Sequence, residues 1–203
     1  MIETLTGNPL DVLARWVAEA EAAGVPMPST MTLATADADG NPHARTVLVT
    51  TIDDHSLRFH SSSPTAKTRD LADNPRVSAV FHWPALGRQA ILTGAATELD
   101  RAVTTAAYPT RPRTLQLVAW AYEDLTPALR GPDYEVPAGA VEKAFAAAAA
   151  RDPQTLPAPA SWTTIELRPC GVDFWQVGTE TTPAAKTRFR SDGAGWRSFP
   201  VLP

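Results

Sequence analysis

The chain has 203 residues, with 18 lysines and arginines against 22 aspartates and glutamates, so its formal net charge is -4. This balance argues against a broad cationic surface for nucleic acid, and 44% hydrophobic with 20% charged residues is typical of a folded globular protein. One cysteine excludes an intrachain disulfide and a thiolate zinc cluster. No apolar run approaches the roughly 20 residues that span a bilayer, so we expect a cytoplasmic protein that binds no membrane.

The first predicted element is an amphipathic helix over residues 11–23. Its apolar positions recur at helical spacing: Leu10, Leu13, Trp16, Val17 and Ala20. Asp11 is the expected N-cap, and Gly24 with Pro26 is expected to end the helix.

Short strands rich in β-branched residues are predicted next. They cover 31–36, 44–52, 56–62, 76–83 and 88–99. Gly94 inside the last of them indicates a bulge or a close backbone approach. A short helix over residues 65–72 is expected after the third strand, with Ser63 as N-cap and Pro64 at the first helical position.

The second half of the chain predicts helices first and strands afterwards. The helices cover 100–107, 113–122 and 138–151, and the strand segments are WTTIELRP, VDFWQVG, KTRFRS and WRSFPV. The order is therefore one helix, about five strands, further helices and about three strands. Because closure removes exposed strand edges, this order predicts an antiparallel barrel with flanking helices.

Common catalytic motifs are absent from the sequence, among them G-x-S-x-G, the P-loop, H-E-x-x-H and G-x-G-x-x-G. The four histidines lack the i, i+4 spacing of helical metal ligands, so we expect no metal site. Lys67, near Thr65 and Ser61 at a helix start, would suit a phosphate group. On these residues alone, solvated surface charge is the simpler interpretation of Lys67 and Arg45.

Five segments follow one another in a characteristic order: MTLATADADGNPHARTVLV, FHSSSPTAKTRDLADNPRVSAVFHW, RQAILTGAATEL, TRPRTLQLVAWA and PASWTTIELRPCGVDFWQVG. This series resembles the pyridoxamine 5'-phosphate oxidase family of FMN-binding split barrels, which includes the phenazine-biosynthesis oxidases. The resemblance covers nearly the whole chain. It implies one mainly β domain over 1–203, an antiparallel, Greek-key-like split barrel with flanking helices. Its parts would be a leading helix (1–28), a barrel core (29–100), a helical segment (101–160) and C-terminal strands with the dimerisation region (161–203).

The resemblance also implies FMN as cofactor and a set of residues that contact it. These are Arg45, Thr46, Val47, Leu48, His60, Ser61, Lys67, Gln89, Trp175 and Arg188. In family members, cations grip the flavin phosphate while Gln and backbone groups bond the ring. The family's sites lie at a two-fold interface, so a C₂ homodimer is implied. Since the flavin carries the electron chemistry, few catalytic side chains are needed, and none is assigned.

The substrate side departs from the family pattern. A lysine, a tyrosine and a serine of the family are replaced by Thr50, Ala107 and Leu115, and the R-L-H-D-R run reads A-A-K-T-R across 184–188. The candidate substrate-binding residues are Arg111, Thr50, Tyr108 and Lys186. A phosphate ester would lose several charge-assisted hydrogen bonds of about 1.5–3 kcal/mol each. We therefore predict an FMN-dependent, two-electron oxidase that acts on a small molecule other than pyridoxamine phosphate.

Other functions stay open on the same residues. One is a genuine pyridoxine/pyridoxamine 5'-phosphate oxidase with a rebuilt pocket. A second is a deazaflavin-using reductase, since Ala66 and the pair Asp124-Leu125 depart from the flavin side of the pattern. A third is a non-catalytic flavin or haem binder, with His60 or His82 as a haem ligand, because a fold does not fix a function.

Overall fold

A computed structural model describes residues 2–131, 134–151, 156–193 and 195–203, and across these ranges the alternating apolar pattern forms eight antiparallel strands. The strands are β1 (Thr30–Ala36), β2 (Pro42–Ile52), β3 (Leu57–Ser62), β4 (Arg76–Trp83), β5 (Arg88–Glu98), β6 (Trp162–Gln176), β7 (Ala185–Ser191) and β8 (Trp196–Val201). The sheet order is β3-β2-β1-β4-β5-β6-β7-β8, and an additional β3–β6 pairing closes the first six strands into a barrel. The predicted antiparallel barrel is thus confirmed.

Strand β6 closes the barrel because its fifteen residues serve several neighbours. Its first part pairs with β3, from Trp162 opposite Ser62 to Leu167 opposite Leu57, while β5 pairs with it from Ile165 to Gln176. The prediction of two separate strands here is wrong, since β6 is one continuous strand with a register shift against β5. The barrel consequently extends beyond the expected core of residues 29–100.

Gly94 lies at that register shift in β5, as its position in the strand pattern predicted. A Cβ atom on Gly94 would lie 2.2 Å from the backbone oxygen of Arg168. Real Cβ atoms do not approach a backbone oxygen so closely, so a glycine is required for β5 and β6 to pass each other here.

Five helices occur in the described ranges: α1 (Pro9–Ala22), α2 (Ala66–Asp73), α3 (Arg101–Ala107), α4 (Arg113–Leu125) and α5 (Ala140–Ala149). The expected first N-cap is wrong, because Asn8 caps α1 by accepting a hydrogen bond from the Leu10 N–H at 3.0 Å. The expected Ser63 cap of α2 is also wrong. Thr65 takes that position, and its reciprocal capping box with Thr68 satisfies N–H groups at the helix start.

The core is formed by the barrel interior together with α1. Trp16 of α1 is fully buried and contacts Trp83 and Phe174 edge-on, with centroid separations of 6.2 and 4.9 Å. Such aromatic pairs add to the free energy of apolar burial, so α1 is fixed against the barrel. Within the described ranges, no helix is long and apolar enough to cross a membrane.

Candidate functional site

A cavity of about 390 Å³ lies at the barrel surface and is called the Lys67 cavity. One wall comes from β2 and from the segment that leads into α2, and the other comes from α4, α5 and the chain between them. Its polar lining includes Arg45, Ser62, Thr65 and Lys67. Thr65 and Lys67 lie close together at the start of α2, where the N–H groups that the Thr65–Thr68 capping box does not use favour an anion.

Lys67 is held by two hydroxyl groups. Its Nζ donates to Ser61 Oγ at 2.8 Å and to Thr65 Oγ1 at 3.3 Å. Burial and the nearby charge of Arg45 together lower the pKa of Lys67 to about 8, while Glu98 acts in the opposite direction. An ammonium group with hydroxyl partners and little charge compensation favours an anion in the cavity.

Arg45 supplies a second cation to the same cavity. It alternates with Val47 and Val49 on the inward face of β2, and its Nη1 donates to Thr35 Oγ1 at 2.7 Å. Its Nη2 lies 3.8 Å from Asp70 Oδ2. Burial lowers the pKa of Arg45 and Asp70 opposes that effect. The simpler interpretation of Arg45 and Lys67 as solvated surface charges is therefore wrong.

A second cavity of about 280 Å³, the Arg111 cavity, adjoins the first, because Ser62 and Tyr122 line both. Its other lining residues are Met27, Leu48, Thr50, His60, Ser61, Arg111, Leu115, Val118, Ala119 and Trp162. Within the described ranges, the Arg111 guanidinium has no ion-pair partner, and burial lowers its pKa. The cavity thus combines apolar walls with one strong cation.

His60 of the Arg111 cavity is bonded at both ring nitrogens. Thr50 Oγ1 donates to the Arg58 carbonyl at 3.2 Å and therefore accepts from His60 Nε2 at 3.2 Å. In that tautomer, His60 Nδ1 accepts from Thr164 Oγ1 at 3.0 Å. Burial, with a contribution from the charge of Arg111, lowers the pKa of His60 to about 4. His60 is therefore neutral at physiological pH, and the Thr50 hydroxyl is already engaged.

Trp162 forms part of the same cavity and stacks on His60, with ring centroids 4.5 Å apart. The sequence analysis missed this residue, since only the pairing of β3 with β6 brings it to the site. Tyr108, an expected substrate-binding residue, is 1% exposed and lies behind Trp162 with its edge to the indole. Its hydroxyl donates to the Gln116 carbonyl at 3.1 Å. This position makes Tyr108 a support of the wall and not a lining residue.

The β2 residues expected to contact FMN divide between the two faces of the strand. Val47 lies in the core, Leu48 lines the Arg111 cavity, and Thr46 is exposed on the outer face. Thr46 stands opposite Thr32 of β1 in the ladder.

Three expected site residues lie elsewhere, at a cavity of about 310 Å³ called the Trp175 cavity. Gln89, Trp175 and Lys186 line it together with His82 and Pro203. They are neighbours because Trp175 pairs with Gln89 on one side and with Lys186 on the other. This cavity shares no described lining residue with the other two.

Arg188 lies two ladder positions from the Trp175–Lys186 pair and is bound by Asp173. Its Nε and Nη2 donate to the two carboxylate oxygens at 2.8 and 2.6 Å, and Lys186 lies 3.3 Å from the same carboxylate. The two cations hold the pKa of Asp173 below its ordinary value against the opposing effect of burial. A single chain thus divides the expected FMN contacts between two separate places.

Comparisons of the sequence give a consistent result. The family model described as pyridoxamine 5'-phosphate oxidase matches residues 17–175. The pyridoxine/pyridoxamine 5'-phosphate oxidase of Salinispora arenicola is 40% identical over 196 residues, covering 95% of this chain and 85% of that protein. The protein of the same name from Rubrobacter xylanophilus is 34% identical, covering 97% of this chain and 87% of its own.

Solved structures share the fold. PhzG from Burkholderia lata, in complex with tetrahydrophenazine-1-carboxylic acid, has a TM-score of 0.82 at 24% identity and covers 98% of this chain and 94% of that chain. A pyridoxamine 5'-phosphate oxidase-related, FMN-binding protein from Nostoc punctiforme has a TM-score of 0.74 at 20% identity, covering 98% and 99%. The fold is therefore that of the split barrels. The chain belongs to the pyridoxamine 5'-phosphate oxidase family.

Proposed function

We propose that the protein is an FMN-dependent oxidoreductase that carries out a two-electron reaction on a small molecule. The observation that carries this proposal is the position of Lys67, held between Ser61 and Thr65 beside Arg45 on the wall of the Lys67 cavity. The family and the names of the relatives support it.

The donor set of the Lys67 cavity fits a phosphate monoester. Lys67 and Arg45 supply charge, while Ser62 and Thr65 supply hydroxyl groups and the first turn of α2 supplies N–H groups. Bound FMN would supply the hydride and electron chemistry. The chain's own residues then bind and orient, and a substrate in the adjoining Arg111 cavity would lie next to the cofactor.

The proposed site draws on two copies of the chain. Gln89, Trp175 and Arg188 lie at or near the Trp175 cavity, which shares no described lining residue with the Lys67 cavity. A C₂ homodimer would bring the partner copy of this second group to the first, and by symmetry would complete both sites. Lys186 would then approach the substrate from the partner side.

The proposed substrate differs from pyridoxamine phosphate. Among the described residues that line the Arg111 cavity, Arg111 is the one with a charged side chain at neutral pH, since His60 is neutral. The Thr50 hydroxyl, in the place of a lysine of the family, is directed to the Arg58 carbonyl. One guanidinium with apolar and aromatic walls suits a small organic molecule with one anionic group better than a phosphate dianion.

A second candidate is a genuine pyridoxine/pyridoxamine 5'-phosphate oxidase. Its support is the name of the relative that is 40% identical over nearly the whole chain, together with Arg111 in the cavity. Incubation of the flavin-loaded protein with pyridoxamine phosphate in air separates the two candidates. Formation of pyridoxal phosphate and hydrogen peroxide would establish the second candidate and contradict the diverged pocket.

The cofactor proposal is tested by the visible spectrum of the purified protein and by titration with FMN. Tight uptake is expected, and Lys67→Ala is expected to raise the FMN dissociation constant about tenfold or more, because a charge-assisted bond is lost. Lys143→Ala, on the exposed face of α5, is the matched control. A protein that takes up no FMN, or that shows a Soret band instead, would overturn the proposal.

A further inference from the structure

The carboxylate of Asp70 is fully buried and lies at the centre of a polar cluster behind the Lys67 cavity. Its Oδ2 accepts from Thr35 Oγ1 at 2.6 Å and lies 2.9 Å from His43 Nδ1 and 3.8 Å from Arg45 Nη2. Within the described ranges, its Oδ1 has no hydrogen-bond partner. A buried carboxylate costs free energy unless its charge is paired or hydrogen-bonded. The partners of Asp70 therefore indicate what this carboxylate does.

Asp70 and Lys67 project from the same helix, three residues apart, and therefore from neighbouring positions on its surface. Lys67 lines the cavity, whereas Asp70 is absent from the lining and is buried against β1 and β2. Arg45 interacts with both residues: Asp70 attracts its guanidinium and Lys67 repels it. One helix thus supplies both charges that act on Arg45.

Thr35 connects Asp70 with Arg45 a second time. Its hydroxyl accepts a hydrogen bond from Arg45 Nη1 at 2.7 Å and donates one to Asp70 Oδ2 at 2.6 Å. The Leu33 carbonyl also accepts from Arg45 Nη1, at 3.4 Å. These contacts fix the orientation of a guanidinium that also lines the cavity.

We propose that Asp70 is a positioning residue of the phosphate site, which holds the Arg45 guanidinium at the cavity wall both directly and through Thr35. This inference rests on the proposed function, since it takes the ligand of the cavity to be the phosphate of FMN. Without the carboxylate, Arg45 would be partly buried beside a second cation with no counter-charge. It would turn away from Lys67, and the phosphate would lose one of its two cations.

A purely structural role for Asp70, as an anchor of α2 on β1, gives a different expectation. Loss of an anchor would displace the whole cavity wall and weaken the binding of any ligand. Loss of the Arg45 orientation would weaken the binding only of a ligand that carries a phosphate. FMN and riboflavin differ in that group alone, so the ratio of their dissociation constants separates the two roles.

The experiment measures FMN and riboflavin binding at pH 7 by quenching of flavin fluorescence, for the wild type and for Asp70→Asn. The FMN dissociation constant is expected to rise at least about tenfold, with riboflavin changed less than about twofold. Asp70→Glu is expected to recover part of the FMN affinity. Asp73→Asn, an exposed aspartate at the end of α2, is the matched control.

Unchanged FMN binding by Asp70→Asn, or an equal loss for both flavins, overturns the inference. Where Asp70→Asn fails to fold, Thr35→Val keeps the carboxylate and removes the hydroxyl connection. Thr35→Val is then expected to lose affinity for FMN but not for riboflavin, and Thr35→Ser is expected to regain it. Unchanged FMN binding by Thr35→Val would also overturn the inference. A wild type that binds no FMN overturns the proposed function itself, whereas FMN binding retained by every variant overturns only the role of Asp70.

Discussion

The imidazole of His60 stacks on the indole of Trp162, with ring centroids 4.5 Å apart and planes 25° from parallel. The two residues lie on adjacent strands, where His60 is opposite Thr164 and Trp162 is opposite Ser62. The stack removes one face of the imidazole from water, and two threonine hydroxyls bond its nitrogens. His60 therefore acts as a neutral, planar part of the wall and not as an acid or base near pH 7.

Acid titration tests this environment of His60. Its folded pKa of about 4 lies below the ordinary value of 6.5, so the unfolded chain takes up a proton first as the pH falls. The contribution of His60 to the free energy of unfolding is therefore present above pH 6.5 and is lost progressively down to about pH 4. Urea unfolding is expected to show that the free energy of unfolding falls less between pH 7 and pH 5 in His60→Gln than in the wild type. The exposed His55→Gln variant should behave like the wild type, and equal losses in all three proteins would contradict the buried neutral imidazole.

Arg111 and His60 are expected to be electrostatically coupled across the Arg111 cavity. The guanidinium disfavours a second positive charge, and this contributes to the low pKa of His60. Arg111→Gln is therefore expected to raise the pKa of His60 above about 4. The shift can be followed by NMR of labelled imidazoles in the wild type and in Arg111→Gln. An unchanged His60 titration would show that the charge of Arg111 does not affect the imidazole.

The pH dependence of FMN affinity reports on Lys67. Its pKa of about 8 applies to the free protein, and a bound phosphate would raise it by attraction. Below pH 8 the lysine is charged in both states and contributes no pH dependence. Above pH 8 the free protein must take up a proton to bind, so FMN affinity is expected to fall, by up to about tenfold for each pH unit.

Lys67→Arg provides the control for that titration, since a guanidinium stays charged throughout this range. Its FMN affinity is expected to vary little between pH 7 and about pH 9. Fluorescence titrations at matched ionic strength measure both proteins. A wild-type affinity that is flat over the same interval would place the phosphate away from Lys67.

Local sequence patterns predicted most of the elements, because their signals lie within one segment. Strand alternation, the Gly94 bulge and the order of helices and strands are of this kind. The closure of the barrel is different, since β6 pairs with β3 about a hundred positions away. No local pattern encodes that pairing, and for the same reason the contact between His60 and Trp162 was not predicted.

The site was predicted in part for a related reason. Lys67, Thr65 and Ser61 lie close together in the sequence, so their shared position was visible from spacing. The cluster of Asp70 with Thr35 joins α2 to β1 across 35 positions. The sequence alone does not distinguish a buried aspartate from an exposed one. Its role follows from burial and from the Arg45 contact, neither of which spacing reports.

Gly94 gives a direct test of the crossing of β5 and β6. A methyl group at this position would meet the Arg168 carbonyl at 2.2 Å, and a backbone oxygen cannot rotate aside as a side chain can. Gly94→Ala is therefore expected to destabilise the fold by about 1–3 kcal/mol or more, since the strands must separate to admit it. Gly195→Ala is the matched control, because its backbone does not require glycine and, apart from its chain neighbours, no atom of the described residues lies within 4 Å of the added Cβ. Denaturant unfolding of the two variants measures the difference, and equal midpoints would show that the bulge accommodates a side chain.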